Sequence, residues 1–83
     1  MNKAEAQMHL RAAAAAGQGK SCGAKNKYGT EKAAQIAAFR RNRHPSRQVP
    51  GAVMQEPYPC PFCDRWHVGD AMTKTERKRW SRP

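Results

Sequence analysis

The chain has 83 residues and a formal net charge of +10, but only seven of its residues are Leu, Ile, Val or Phe. This composition excludes a fold held by apolar packing alone, because a highly charged chain with less than about 20% of these four residue types is expected to be disordered. No stretch is apolar enough for a transmembrane helix or a signal peptide. We therefore expect a cytoplasmic protein in a reducing environment, with no membrane partner and no disulfides.

Residues 1–20 are rich in alanine, which favours a helix, and Gly17 is expected to end it. The segment has no sustained apolar stripe, and an isolated helix of this length is marginal in water. We expect a flexible or partly helical arm that is appended to the domain, with His9 exposed to solvent.

The next segment, residues 21–29, predicts a loop that contains Cys22. Thr30 is a good N-cap, so a helix is expected over residues 31–43, ending before Pro45. The face of this helix expected to be apolar carries Ala33, Ile36 and Phe39.

Two short strands are predicted over residues 53–59 and 65–69, joined by a turn through Pro61 and Phe62. The spacing of Thr73 and Glu76 is that of a capping box, which predicts a short basic helix over residues 74–80.

These elements predict an α+β fold. One central helix packs on a short β-hairpin that bears a CxxC knuckle, and basic, partly helical arms flank it. The expected divisions are an arm over residues 1–20, a zinc-binding mini-domain over 21–72 and a basic helix or tail over 73–83.

The CPFC sequence at residues 60–63 suits either a redox pair or a metal site. A thiol redox enzyme places this motif at the start of a helix within a βαβ unit. Here the following residues, DRWHVGD, are poor helix formers and little chain remains. The redox interpretation is therefore the weaker one.

Cys60, Cys63 and His67 have the spacing C-x2-C-x3-H, and structural Zn2+ is held by four such N and S donors. Cys22, the remaining cysteine, is the expected fourth ligand, with His44 as its rival. Closing the loop to Cys22 costs about 3 kcal/mol, whereas structural zinc contributes about 10 kcal/mol or more. A three-ligand catalytic zinc is disfavoured because no carboxylate is clearly placed as a general base. Asp64 can adopt the left-handed conformation that such turns require.

The layout resembles small basic Cys3His zinc-finger proteins of the kind found in actinobacterial phages and their hosts. That pattern has a cysteine loop, an alanine-rich helix and a hairpin with the motif Tyr-x-Cys-x-x-Cys-x-x-Trp-His. The matching positions are Cys22, Lys25, Tyr28, Ala33, Tyr58, Cys60, Cys63, Trp66 and His67, whereas Asp64 replaces the usual glycine. The resemblance implies a phage-type module that binds one zinc ion and either nucleic acid or a host factor.

The excess of positive charge favours a polyanionic partner, so we expect a non-enzymatic protein that binds DNA or RNA through phosphates with low sequence specificity. The alternative is an adaptor or inhibitor that binds an acidic surface of a host protein, and solvated charge that merely maintains solubility is a third possibility. No small-molecule substrate is expected. The residues predicted to contact nucleic acid are Lys20, Lys25, Lys27, Arg40, Arg41, Arg43, Arg47, Arg65, Lys74, Arg77, Lys78, Arg79 and Trp80. Arg82 belongs to the same C-terminal basic cluster as Lys74, Arg77, Lys78 and Arg79.

The aromatic residues divide into scaffold and contact candidates. Trp66 is expected to pack on Ile36 or Phe39 in the core. Trp80, within a basic segment, is the better candidate for stacking on bases, and Phe62 at the turn is a second one.

Overall fold

The structure of the protein is a computed structural model that describes residues 1–23 and 25–81. In chain order the elements are α1 (Lys3–Ala16), α2 (Gln18–Ser21), α3 (Glu31–Asn42), a 3-10 turn (Pro45–Arg47), β1 (Gln55–Pro59), β2 (Trp66–Asp70) and α4 (Lys74–Trp80). This is an α+β fold, as the sequence predicted, and α3 contacts both strands of the hairpin.

The hairpin is antiparallel, with Tyr58 opposite His67 and Pro59 opposite Trp66. On the other edge of β2, Tyr28 and Trp66 exchange two backbone hydrogen bonds of 2.8 and 2.9 Å. The loop before α3 is therefore attached to the hairpin as a third, single-residue strand.

The α3 helix begins where the sequence predicted. The Thr30 side chain accepts a hydrogen bond of 3.1 Å from the backbone N–H of Ala33. Its buried face carries Ala34 and Ala38, which form the core with Val68. Small side chains permit close contact between a helix and a sheet, so aromatic rings from the hairpin side pack around this core; these are Tyr28 and Trp66.

The apolar face expected for α3 is not the buried one. Ile36 is 46% exposed and Phe39 is 60% exposed, so their expected burial beneath Trp66 was wrong. The alanines lie on the opposite side of the helix and accept the rings from the hairpin, which leaves the two larger side chains outside.

The α1 helix ends at Gly17, as predicted, where φ is 92°. Unlike an appended arm, it packs against β1 and α4, and Met8, His9 and Ala13 are buried. The Ser21 hydroxyl donates a hydrogen bond of 2.7 Å to the carbonyl oxygen of Ala13. The contacts that order α1 are thus non-local, and they could not be predicted because the segment has no sustained apolar stripe.

His9 is buried rather than exposed, because β1 provides an acceptor for its ring. Its Nε2 lies 3.4 Å from Oε1 of Glu56, and Oε2 of Glu56 accepts a hydrogen bond of 3.1 Å from Arg77. Burial lowers the pKa of His9, although the Glu56 charge acts in the opposite direction. Glu56 therefore joins α1 and α4 to the hairpin.

The α4 helix spans the predicted residues and has the predicted capping box. Thr73 accepts from the backbone N–H of Glu76 at 3.1 Å, and the Glu76 side chain accepts from the backbone N–H of Thr73 at 3.3 Å. Within the described ranges, none of the helices has both the length and the apolar character needed to cross a bilayer.

Candidate metal centre

Four potential ligands converge between the loop after α2 and the hairpin. The ligand atoms of Cys22, Cys60, Cys63 and His67 all lie within 4.8 Å of one another. Cys22, Cys60 and His67 are buried, and Cys63 is half-buried. The residues that the sequence indicated are thus close enough together to hold a metal ion.

The turn between the strands presents two of the sulfur atoms. The backbone N–H of Cys60 donates to the carbonyl oxygen of Arg65 at 2.8 Å, which closes the turn. The backbone N–H of Phe62 lies 3.4 Å from Cys60 Sγ, so it points at the sulfur. Asp64 has a φ of 57°, the left-handed conformation expected for this position.

His67 is fully buried in β2, and its two ring nitrogens have different partners. Nδ1 lies 2.7 Å from the carbonyl oxygen of Asn26, and Nε2 lies 3.4 Å from Cys63 Sγ. A carbonyl can only accept, so Nδ1 carries the proton and the Nε2 lone pair faces the sulfur atoms. This arrangement is typical of metal-binding histidines. The Asn26 carbonyl was missed by sequence reasoning, because a backbone acceptor has no side-chain signature.

Cys22 directly follows α2, a short helix that was not predicted after the expected stop at Gly17. The backbone N–H of Cys22 donates a hydrogen bond of 2.9 Å to the backbone carbonyl oxygen of Gln18. The next residue, Gly23, has a φ of 31°. A Cβ at Gly23 would lie 2.5 Å from the carbonyl oxygen of Gly19. The turn that presents Cys22 therefore requires glycine at position 23.

A second contact fixes the same segment to the hairpin. The Tyr58 hydroxyl donates a hydrogen bond of 2.6 Å to the carbonyl oxygen of Ser21, next to Cys22. Burial, together with the charges of the neighbouring cysteines, raises the pKa of Tyr58 to about 12. Tyr58 is thus a scaffold residue.

The three thiols differ in their electrostatic surroundings. The pKa of Cys22 is raised to about 11, mainly by burial and in addition by hydrogen bonds with Cys63 and Cys60. Burial also acts to raise the pKa of Cys63, but hydrogen bonds from the Arg65 backbone and from the other two thiols outweigh burial and lower it. A cation among these sulfurs would favour the thiolate form of all three.

His44, the rival ligand, is exposed and engaged elsewhere. Its Nδ1 lies 2.9 Å from the Ser46 hydroxyl and accepts from the Ser46 backbone N–H at 3.2 Å. It caps the 3-10 turn and is not part of the four-residue cluster.

The basic residues named from the sequence fall on separate parts of the surface. Arg47 and Arg77 are half-buried and donate to the Val53 carbonyl and to Glu56, respectively. Trp80 is also half-buried. Arg82 lies outside the described residues. The remaining members are exposed: Lys20, Lys25, Lys27, Arg40, Arg41, Arg43, Arg65, Lys74, Lys78 and Arg79.

Only part of this set shares a groove. One groove joins the loop before α3 to the end of that helix and is lined by Asn26, Tyr28, Ala33, Ile36, Ala37, Arg40 and Arg41. In the sequence, Lys27 lies between two of these lining residues, Asn26 and Tyr28. In contrast, Lys20 and Lys25 line a cleft that also contains acidic side chains, namely Glu56, Asp70 and Glu76. We call Lys27, Arg40, Arg41 and Arg43 the basic surface.

Phe39, which sequence reasoning placed in the core, lies beside this surface. The guanidinium of Arg43 is 5.4 Å from the centroid of its ring. In the sequence, Phe39 is followed closely by Arg40, Arg41 and Arg43. This proximity to basic residues was the available signal that Phe39 lies at the surface.

Comparisons with protein-family models, curated proteins and solved structures each found no match to this chain. The centre is therefore interpreted from its own donor atoms and their surroundings. On those grounds it is a candidate Cys3His metal centre.

Proposed function

We propose that the chain is a non-enzymatic zinc-finger protein that binds nucleic acid mainly through phosphate contacts. The observation that carries the metal assignment is the convergence of three thiols and one imidazole on one point. Thiolate and imidazole donors in a four-coordinate set suit Zn2+ better than Mg2+ or Ca2+, which prefer oxygen ligands.

The role proposed for zinc is structural. Four protein donors complete a tetrahedron and leave no open position for water or substrate, in contrast to catalytic zinc sites. The ion would connect the loop after α2, the turn and β2. Such a cross-link contributes about 10 kcal/mol or more in zinc-finger peptides, which offsets the lack of large apolar side chains.

The basic surface supports the proposal that the ligand is a polyanion. Its four cationic side chains are exposed. Arg40 and Arg41 line one groove, and Arg40 shares a neighbouring depression with Arg43, the C-cap of α3. Lys27 belongs to the loop that contributes Asn26 and Tyr28 to the first groove. Phosphate contacts of this kind position a nucleic acid without reading its bases, so we expect low sequence specificity. The chain's net charge of +10 adds long-range attraction to the same ligand.

A second candidate is the adaptor or inhibitor that binds an acidic protein. The exposed side chains of Ile36 and Phe39 favour it, because an apolar centre with a charged rim is typical of protein interfaces. Binding experiments with nucleic acid separate the two candidates.

The test is a titration of labelled single-stranded and duplex probes with the full chain at two salt concentrations, followed by fluorescence anisotropy. We expect affinity to fall steeply with salt, with a log–log slope of about −0.7 to −0.9 for each phosphate contacted. Arg40→Ala/Arg41→Ala should reduce the affinity and the slope, and each single replacement should do so in part. The matched single control Lys3→Ala removes one charge from an exposed position on α1, outside the basic surface. Absence of binding to every probe at low salt would favour the adaptor.

A further inference from the structure

The exposed ring of Phe39 has no role in the core or in the metal centre. It is 60% exposed, more than any other large apolar side chain in the described residues. Resting on the proposed function, we infer that Phe39 is a platform on which an unpaired base stacks. Single-stranded nucleic acid is therefore the preferred ligand of the basic surface.

The platform belongs to a stripe along the outer face of α3. Positions 36, 39, 40 and 43 are spaced by three and four residues, so their side chains are neighbours on one face of a helix. They line a shallow depression together with Gln35. The opposite face is fixed by the burial of Ala34 and Ala38 against Val68. This packing fixes the rotation of α3 about its axis, so the stripe faces outward.

Arg43 places a cation over the ring of Phe39. Its guanidinium lies 5.4 Å from the ring centroid, a distance at which a cation is attracted to an aromatic face. The backbone N–H of Arg43 donates to the carbonyl oxygens of Phe39 and Arg40 at 3.2 and 3.3 Å, so the end of the helix holds it in place. An arginine so placed can contact the phosphate of a base that stacks on the ring.

The charge of the stripe identifies the ligand. Besides Ile36 and Phe39, the depression is lined by a neutral glutamine and two arginines, and none of the described residues that line it is acidic. This surface is complementary to an anion that also has aromatic faces. Single strands have both features, because each base is accessible from its face, whereas the bases of a duplex are stacked on one another.

The other aromatic candidates are less suited to this role. Trp80 is half-buried, and its carbonyl oxygen accepts a hydrogen bond of 3.1 Å from Arg11 of α1. Phe62 is 40% exposed and lies in the turn next to the metal ligands. We therefore assign the stacking role to Phe39 rather than to Trp80.

The experiment compares three labelled probes with the full-length chain: a single strand, a duplex of the same sequence, and a strand of abasic nucleotides that retains the phosphates. Phe39→Ala should weaken binding to the single strand by about 5- to 150-fold, the range found when a stacking aromatic is removed. Binding to the duplex and to the abasic strand should change by less than about twofold. Phe39→Trp should retain the affinity, whereas Phe39→Leu, which is apolar but has no ring, should not.

Thermal melting and metal content serve as folding controls. Val53→Ala is the control for loss of exposed apolar surface, because it removes such surface from another segment. Single-strand affinity that is unchanged in Phe39→Ala, together with a loss in Arg40→Ala/Arg41→Ala, would overturn the stacking site and leave the proposed function intact. An equal loss for all three probes would also overturn it, since the ring would then not act through bases. Absence of binding by the unmodified protein would reject both.

Discussion

The Nδ1 atom of His67 lies 2.7 Å from the carbonyl oxygen of Asn26. This hydrogen bond connects a ligand on β2 to the loop that begins with Cys22, and it turns Nε2 toward the three sulfur atoms. Two distant segments of the chain are thus arranged around one point by a contact that involves no sulfur. The candidate metal centre and the packing of the loop therefore share this contact.

Replacement of Cys22 should have a larger effect than replacement of the rival ligand. Cys22→Ser should lower zinc affinity by several orders of magnitude and melt at a lower temperature, because a hydroxyl is a poor zinc ligand and the loop loses its cross-link. The control, His44→Gln, should retain one equivalent of metal and the original melting temperature. Metal analysis after dialysis, combined with thermal melting, checks both. Metal loss in His44→Gln with retention in Cys22→Ser would reverse the assignment.

The turn after α2 should not accept a side chain at Gly23. Gly23→Ala would place Cβ 2.5 Å from the Gly19 carbonyl oxygen, at a φ of 31° that L-residues rarely adopt. We expect a loss of about 1–3 kcal/mol in the free energy of unfolding, and weaker metal binding. The matched control is Gly29→Ala, since a Cβ there meets nothing within 4 Å. Chemical denaturation of both variants provides the comparison, and equal stability would show that the turn is not constrained as described.

The hydroxyl of Tyr58 should contribute through Ser21. Tyr58→Phe removes the hydrogen bond of 2.6 Å and leaves a carbonyl oxygen without this donor. The expected cost is about 0.5–1.5 kcal/mol in the free energy of unfolding, with a moderate decrease in zinc affinity because the segment before Cys22 is less well held. Competition with a zinc chelator measures the second effect. An unchanged affinity would separate this hydrogen bond from the metal centre.

His9 should make the stability dependent on pH. Burial lowers its pKa from 6.5, so unfolding takes up a proton between the folded and unfolded pKa values. The free energy of unfolding should therefore fall as the pH decreases through about 6.5, and this fall should stop once the folded protein also binds the proton. The groups that face the ring are Glu56 of β1, Arg77 of α4 and Glu5 of α1.

The variant His9→Gln isolates this contribution, because a glutamine does not titrate. The difference in unfolding free energy between the unmodified protein and the variant should shrink or reverse as the pH falls. Since acid also releases metal from thiolates, both proteins are compared at equal metal content. A difference that is independent of pH would contradict the assignment of a neutral, buried His9.

Local signals in the sequence predicted much of this structure. The Thr30 cap fixes the start of α3, the Thr73–Glu76 box fixes α4, and the C-x2-C-x3-H spacing indicates the turn and the metal ligands. Each of these depends on atoms only a few residues apart. Such contacts are encoded by residue type and spacing alone.

The parts that were wrong depend on distant contacts. The burial of His9 requires Glu56, which is brought near by the register of the hairpin. The buried face of α3 was misjudged because size was taken as the guide, whereas packing against Trp66 selected the alanines. The exposure of Phe39 follows from the same choice.

Metal dependence of the fold is the most direct test of the central claim. Native mass spectrometry of the full chain should show one zinc ion per monomer, and circular dichroism should show that a strong chelator abolishes the cooperative thermal transition, which excess zinc then restores. A metal-free monomer that keeps its compact charge distribution and its melting transition in chelator would contradict the claim that a Cys3His metal centre holds this fold.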